Sequence, residues 1–165
     1  MKKLCINRTL SAIAVLMWMA VIFVFSAQNG DTSGSTSGSL IELIAKIFNP
    51  DYDSLTEAEK LEIIASWQLV VRKTAHFSEY AVLGALSANA LRTYPLSNAF
   101  KRLLPCGICL LYAISDEIHQ YFVPDRACRA LDVCIDTLGG ITGTAIFCTL
   151  AWIIARRRLK KELKP

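Results

Sequence analysis

The sequence predicts an all-α membrane protein: a four-transmembrane-helix bundle with an external amphipathic helical segment between spans 1 and 2. Three observations carry this expectation. Of 165 residues, 53% are hydrophobic, more than the roughly 45–50% apolar content of soluble domains. The apolar residues fall into four blocks, each of about the 17–25 residues that cross a hydrocarbon core. No stretch alternates regularly enough for barrel strands, which leaves helices as the structure that satisfies its own backbone in lipid.

The elements follow in chain order. Met1 to Arg8 is a basic leader, and residues 9–27 (TLSAIAVLMWMAVIFVFSA) are the first span. That run is longer than the roughly 7–15 apolar residues of a signal-peptide core, so it is read as a retained span. Residues 28–72 form an external linker. Its first part, Gln28 to Ser39, is Gly/Ser-rich and expected to be flexible. Leu40 to Phe48 has helical apolar spacing but is too short to span, which suits a surface-lying helix. Asn49-Pro50-Asp51 breaks it, and Ser54-Leu55-Thr56-Glu57 has the pattern of a capping box opening the next helix. The second, third and fourth spans are expected at 74–91, 103–121 and 131–155, with Pro105 in the first turns of the third. The hinge Val123 to Ala130 joins the last two spans, and a basic tail from Arg156 follows.

With four spans, both termini share one side. Twelve of the 18 basic residues then fall on the terminal side and six on the other. The positive-inside rule places both termini in the cytoplasm and the linker outside. The net charge of +4 flanks apolar spans without interleaved aromatics, so nucleic acid is not expected as a partner. The six cysteines lie mostly within or beside spans, where Cys acts as a small hydrophobe rather than a disulfide framework.

The chemistry lies in ionisable residues inside three spans: His76 and Glu79 in the second, Asp116, Glu117 and His119 in the third, Asp132 and Asp136 in the fourth. Such groups cost free energy at membrane depth and mark functional sites. Topology puts all of them near the outer face. At 1.5 Å per residue, Glu79, Asp116 and Asp136 each lie roughly 8–11 Å inside the boundary. Helical phase groups Lys73, His76 and Tyr80, then Asp116, His119 and Gln120, then Arg129, Asp132 and Asp136. Glu117 is out of phase and expected to be solvated. Gly139 and Gly143 form a GxxxG that lets helices approach below the site.

Three readings of this cluster stand side by side. Basic and polar side chains, with Arg126 and Arg129 foremost, could bind the headgroup of a membrane lipid or lipid-linked cell-wall precursor. Alternatively, His76, Asp116 and His119 could hold a divalent metal that activates water in a hydrolase or transferase acting on a lipid headgroup, with His76, Glu79, Asp116, His119, Asp132 and Asp136 as catalytic candidates. The spacing matches no metal signature, so no cofactor is assigned. Or the charges pair with one another and only lock the bundle.

Several motifs resemble the VanZ-like family of small bacterial membrane proteins. They are Ser26-Ala27-Gln28, Lys73-Thr74-Ala75-His76-Phe77-Ser78-Glu79-Tyr80, the run from Asp116 to Arg126, Asp132-Val133-Cys134-Ile135-Asp136, and the Gly139/Gly143 pair. At the position of Asp136 the family pattern often has Asn. The resemblance implies a multi-pass protein of the bacterial cytoplasmic membrane. The family's namesake is associated with low-level resistance to teicoplanin, so an effect on glycopeptide susceptibility is an expectation. The resemblance names a family more firmly than a reaction.

Overall fold

The computed structural model describes residues 2–28, 30–124 and 129–162. The described residues form five α-helices, α1 (Lys2–Ser26), α2 (Gly30–Phe48), α3 (Glu57–Leu91), α4 (Asn98–Gln120) and α5 (Ala130–Glu162), with a short 3-10 turn at Tyr52–Ser54. Among the described residues there is no strand.

The distribution of side chains is inverted relative to a water-soluble bundle. Asp116, Glu117, Gln120, Asp136 and Thr144 are buried, while Leu16, Leu103, Leu111 and Phe122 are each more than 60% exposed. Apolar surface on that scale needs a nonaqueous partner, and polar groups inside need one another. Two helices are long and apolar enough to cross a membrane among the described residues: Cys5–Ser26, mean hydropathy 2.3, and Ala130–Lys161, mean hydropathy 1.8. Both features are consistent with a membrane protein. In α3 and α4 the site's own polar residues dilute the apolar run.

Helix directions follow from paired residues. Gly139 of α5 abuts the Phe77 backbone of α3, and Gly143 abuts that of Ala81, so α3 and α5 run parallel. A Cβ at either glycine would collide with a backbone carbonyl, which cannot move aside. Absence of side chains is thus what allows this contact. Gly84 of α3 meets Gly140 in the same way, and Thr144 donates its hydroxyl to the Gly84 carbonyl at 3.3 Å. Cys109 of α4 fills the space over Gly140. The helix α1 runs antiparallel to α3: Trp18 Nε1 donates to the Glu79 carbonyl at 2.8 Å, and Arg8 Nη2 donates to the Thr93 carbonyl at 2.5 Å. The Arg8 guanidinium also sits over the Tyr94 ring, 4.6 Å from its centroid. Tyr112 of α4 donates to the Met19 carbonyl at 2.6 Å. The start of α1 and the end of α5 therefore both lie toward the α3–α4 turn.

Four local expectations are corrected. Gln28 to Ser39 is not a flexible linker through its length, because α2 begins at Gly30 and continues unbroken to Phe48. Gly and Ser are poor helix formers, but here the segment packs on α3, with Gly34 over the end of the Gln68 side chain and Gly38 beside Ile64. Tertiary contact outweighs propensity. Beside this contact, α2 and α3 leave an apolar groove of about 700 Å³ lined by Ile41, Ile44, Ile63, Trp67 and Val71 among others. The capping box is Thr56/Glu59, two residues beyond the expected start: Thr56 N donates to Glu59 Oε2 at 2.8 Å and Glu59 N to Thr56 Oγ1 at 3.4 Å. The hydroxyl of Thr56 also bonds the Glu59 carboxylate, which holds that carboxyl below its usual range. Third, α4 starts at Asn98, capped by Ser97, so Pro105 is a helix-interior residue. Fourth, α5 extends through the basic tail to Glu162, where Arg and Lys are good helix formers and favour the C-terminal dipole.

Candidate functional site

At the end of the bundle opposite the α3–α4 turn, α1, α3, α4 and α5 enclose a polar cluster. Its centre is His76, Asp116 and Asp136, each offering a donor atom, all within 4.8 Å of one another. Parallel α3 and α5 bring His76 and Asp136 to one level, with Nδ1 and Oδ1 3.8 Å apart. Asp116 arrives from antiparallel α4 and is 3% exposed. Asp136 is 1% exposed, and neither of its carboxylate oxygens has a hydrogen-bond partner.

Around this centre the polar groups are held in layers. Gln120 Nε2 donates to Ser26 Oγ at 2.8 Å and to Asp116 Oδ2 at 3.4 Å. That orients Asp116 and ties the end of α1 to the end of α4. Tyr80 is fully buried, its hydroxyl has no hydrogen-bond partner, and it lies within the electrostatic reach of Asp116 and Asp136. The Glu79 carboxylate is half-buried on the Asp116 side. One turn toward the rim, Lys73 Nζ pairs with Asp132 Oδ1 at 2.8 Å.

The remaining candidates sit elsewhere. The His119 ring packs on Phe23, 4.5 Å between centroids, rather than in the central trio; its place there is taken by Asp136. The phase of Asp116 and His119 is shared, but α1 covers the His119 side of α4. Arg129 is exposed and gives its backbone N–H, not an ion pair, to the site. Arg126, and Cys128 beside it, lie outside the described residues. Glu117 is not solvated: it is 3% exposed and accepts the Arg129 N–H at 2.8 Å. The chain turns back after α4, so Glu117 meets the positive end of the α5 dipole, where a carboxylate is favoured. The signal for Glu117 was its i+3 and i+4 relation to Gln120 and Ala113, both buried. Ser26 was legible only as the last polar residue of an apolar span.

The electrostatic consequence is that the centre is acid-rich. Among the described residues, no Lys or Arg pairs with Glu79, Asp116 or Asp136; Lys73 is engaged by Asp132. Such a site suits hydroxyl, amine or cation donors better than a bare phosphate.

A helical bundle of membrane-protein character, lipid-like outside and polar at one inner end, is the class defined by this fold and site. The VanZ/LLP1 family profile matches residues 11–153. The chain belongs to that family. No curated protein and no solved structure matches it.

Proposed function

We propose that this chain is a four-span protein of the bacterial cytoplasmic membrane, termini inside, whose polar cluster opens toward the outer leaflet. There it binds the headgroup of an envelope lipid or lipid-linked cell-wall precursor, and through that lipid it affects glycopeptide susceptibility. The observation that carries the reading is the convergence of His76, Asp116 and Asp136 from three helices into one buried centre. Burying these groups is costly; among the described residues no Lys or Arg pairs with Asp116 or Asp136, Lys73 being engaged by Asp132 at the rim and His76 standing 3.8 Å from Asp136. The four-span arrangement is supported by Arg8 lying against the α3–α4 turn, with the basic residues concentrated on that side. The acid-rich centre favours the hydroxyls and amines of a glycan- or amine-bearing headgroup, with Lys73 and Arg129 nearer the rim.

Native mass spectrometry of the detergent-purified chain tests this. Wild type is expected to carry a co-purified lipid that His76→Ala and Asp116→Asn lose while remaining folded. Equal lipid retention by both variants overturns the reading.

A further inference from the structure

We infer that His76, Asp116 and Asp136 form a binding site for one first-row divalent cation, of the Mn²⁺, Fe²⁺ or Zn²⁺ class. The inference deepens the headgroup reading and rests on the same cluster. The geometry speaks first. His76 Nδ1 and Asp136 Oδ1 are 3.8 Å apart, too long for a hydrogen bond. Two donors on one tetrahedral ion, each at roughly 2.0–2.2 Å, stand roughly 3.4 Å from each other. The whole trio lies within 4.8 Å, so side-chain movements of roughly 1 Å or less bring all three donors onto one ion, leaving at least one position for water or ligand.

Two buried groups of the site lack hydrogen-bond partners. Asp136 is 1% exposed with both carboxylate oxygens lacking hydrogen-bond partners. A carboxylate in that state is costly unless something positive meets it. Tyr80, fully buried on the adjacent turn of α3, has a hydroxyl without a hydrogen-bond partner beside Asp116 and Asp136. It can bond a ligating carboxylate or an ion-bound water. Gln120 holds Asp116 by one oxygen, the outer-shell support that metal-ligating carboxylates have.

The donor set selects the ion. One imidazole with two carboxylates suits Mn²⁺, Fe²⁺ and Zn²⁺; Ca²⁺ wants six to eight oxygens, and thiolates are absent from the trio. A bound cation also answers the charge problem of the site. It turns an acid-rich centre into one that accepts a phosphate or hydroxyl oxygen of a headgroup.

The experiment uses the full chain in detergent, stripped with chelator and titrated separately with Mn²⁺ and Zn²⁺, without added lipid. Metal content per chain and thermal stability are read together. One ion per chain and a raised melting temperature are expected for wild type. His76→Ala and Asp116→Asn should each weaken binding by about 100-fold or more, since even loss of outer-shell support costs about 10–100-fold. Glu42→Gln, on α2, should bind as wild type does. Should the variants fail to fold, electron spin echo spectra of Mn²⁺-loaded wild type decide the matter, with nitrogen coupling from a single imidazole expected. Wild type that takes up neither ion stoichiometrically, or Mn²⁺ bound without nitrogen coupling, overturns the proposal. Wild type that carries its co-purified lipid but takes up no metal sinks the cation site alone. Wild type that takes up metal but carries no co-purified lipid sinks the headgroup reading alone.

Discussion

Glu117 on α4 accepts the backbone N–H of Arg129 at 2.8 Å, so the last turn of one helix caps the first turn of the next. The carboxylate is 3% exposed, and it ties the end of α4 to the start of α5. Glu117→Ala should leave that N–H without this partner and cost about 1–3 kcal/mol. Glu117→Gln keeps an acceptor and should cost less. Thermal unfolding of the purified variants checks the order, and an alanine variant as stable as wild type would remove the cap from the account.

The parallel packing of α3 and α5 depends on glycine at two levels. A Cβ on Gly143 would run into the Ala81 carbonyl, whereas one on Gly107 of α4 meets nothing within 4 Å. Gly143→Ala should therefore destabilise by about 1–3 kcal/mol, because the obstructing atoms are backbone. Gly107→Ala should be neutral or slightly stabilising, since Ala is the better helix former. Comparing melting temperatures of the two tests the claim, and equal effects would argue against the close approach.

Orientation is tested separately from packing. With termini inside, reporter fusions at Ser35 in α2 should read external and fusions at Ser97, before α4, should read cytoplasmic. The expectation follows from the twelve-to-six division of basic residues and from Arg8 lying at the α3–α4 turn. A cytoplasmic reading at Ser35 would turn the polar cluster toward the inner leaflet and remove its proposed ligand.

What the sequence reveals and conceals has physical causes. Counting 1.5 Å per residue along three spans brings Glu79, Asp116 and Asp136 to one depth; in the structure the residue that joins Asp116 and Asp136 is His76, one turn before Glu79. Depth along a helix is a local property. The side of a helix that a neighbour covers is not, and so His119 shares a phase with Asp116 yet packs on Phe23 of α1. Glu117 was misread for the same reason: its partner comes from the far side of a hinge. The Gly/Ser start of α2 reads as a flexible linker because propensity measures an isolated helix, whereas here the segment packs against Gln68 and Ile64 of α3. Ser54 and Thr56 both offer capping hydroxyls, and only the helix phase chosen by α3 distinguishes them.

The last prediction separates a working cluster from one that only holds the bundle together. If the trio is structural, each member compensates another, and removing one leaves a buried charge whose cost is large, about 3–5 kcal/mol. If the trio waits for a ligand, that compensation is incomplete before the ligand arrives. The bare oxygens of Asp136 show such incompleteness. Asp136→Asn keeps the size of the side chain and removes its charge. In the ligand-free protein it should therefore be neutral or stabilising, while binding of ion and lipid should weaken. Lys73→Ala supplies the contrast: it strands Asp132 without its partner at 2.8 Å, and should destabilise modestly because the pair is about a quarter exposed. The measurement is thermal stability of stripped protein beside ligand affinity for both variants. A large loss of stability in stripped Asp136→Asn, matching its loss of binding, would assign the cluster to structure alone.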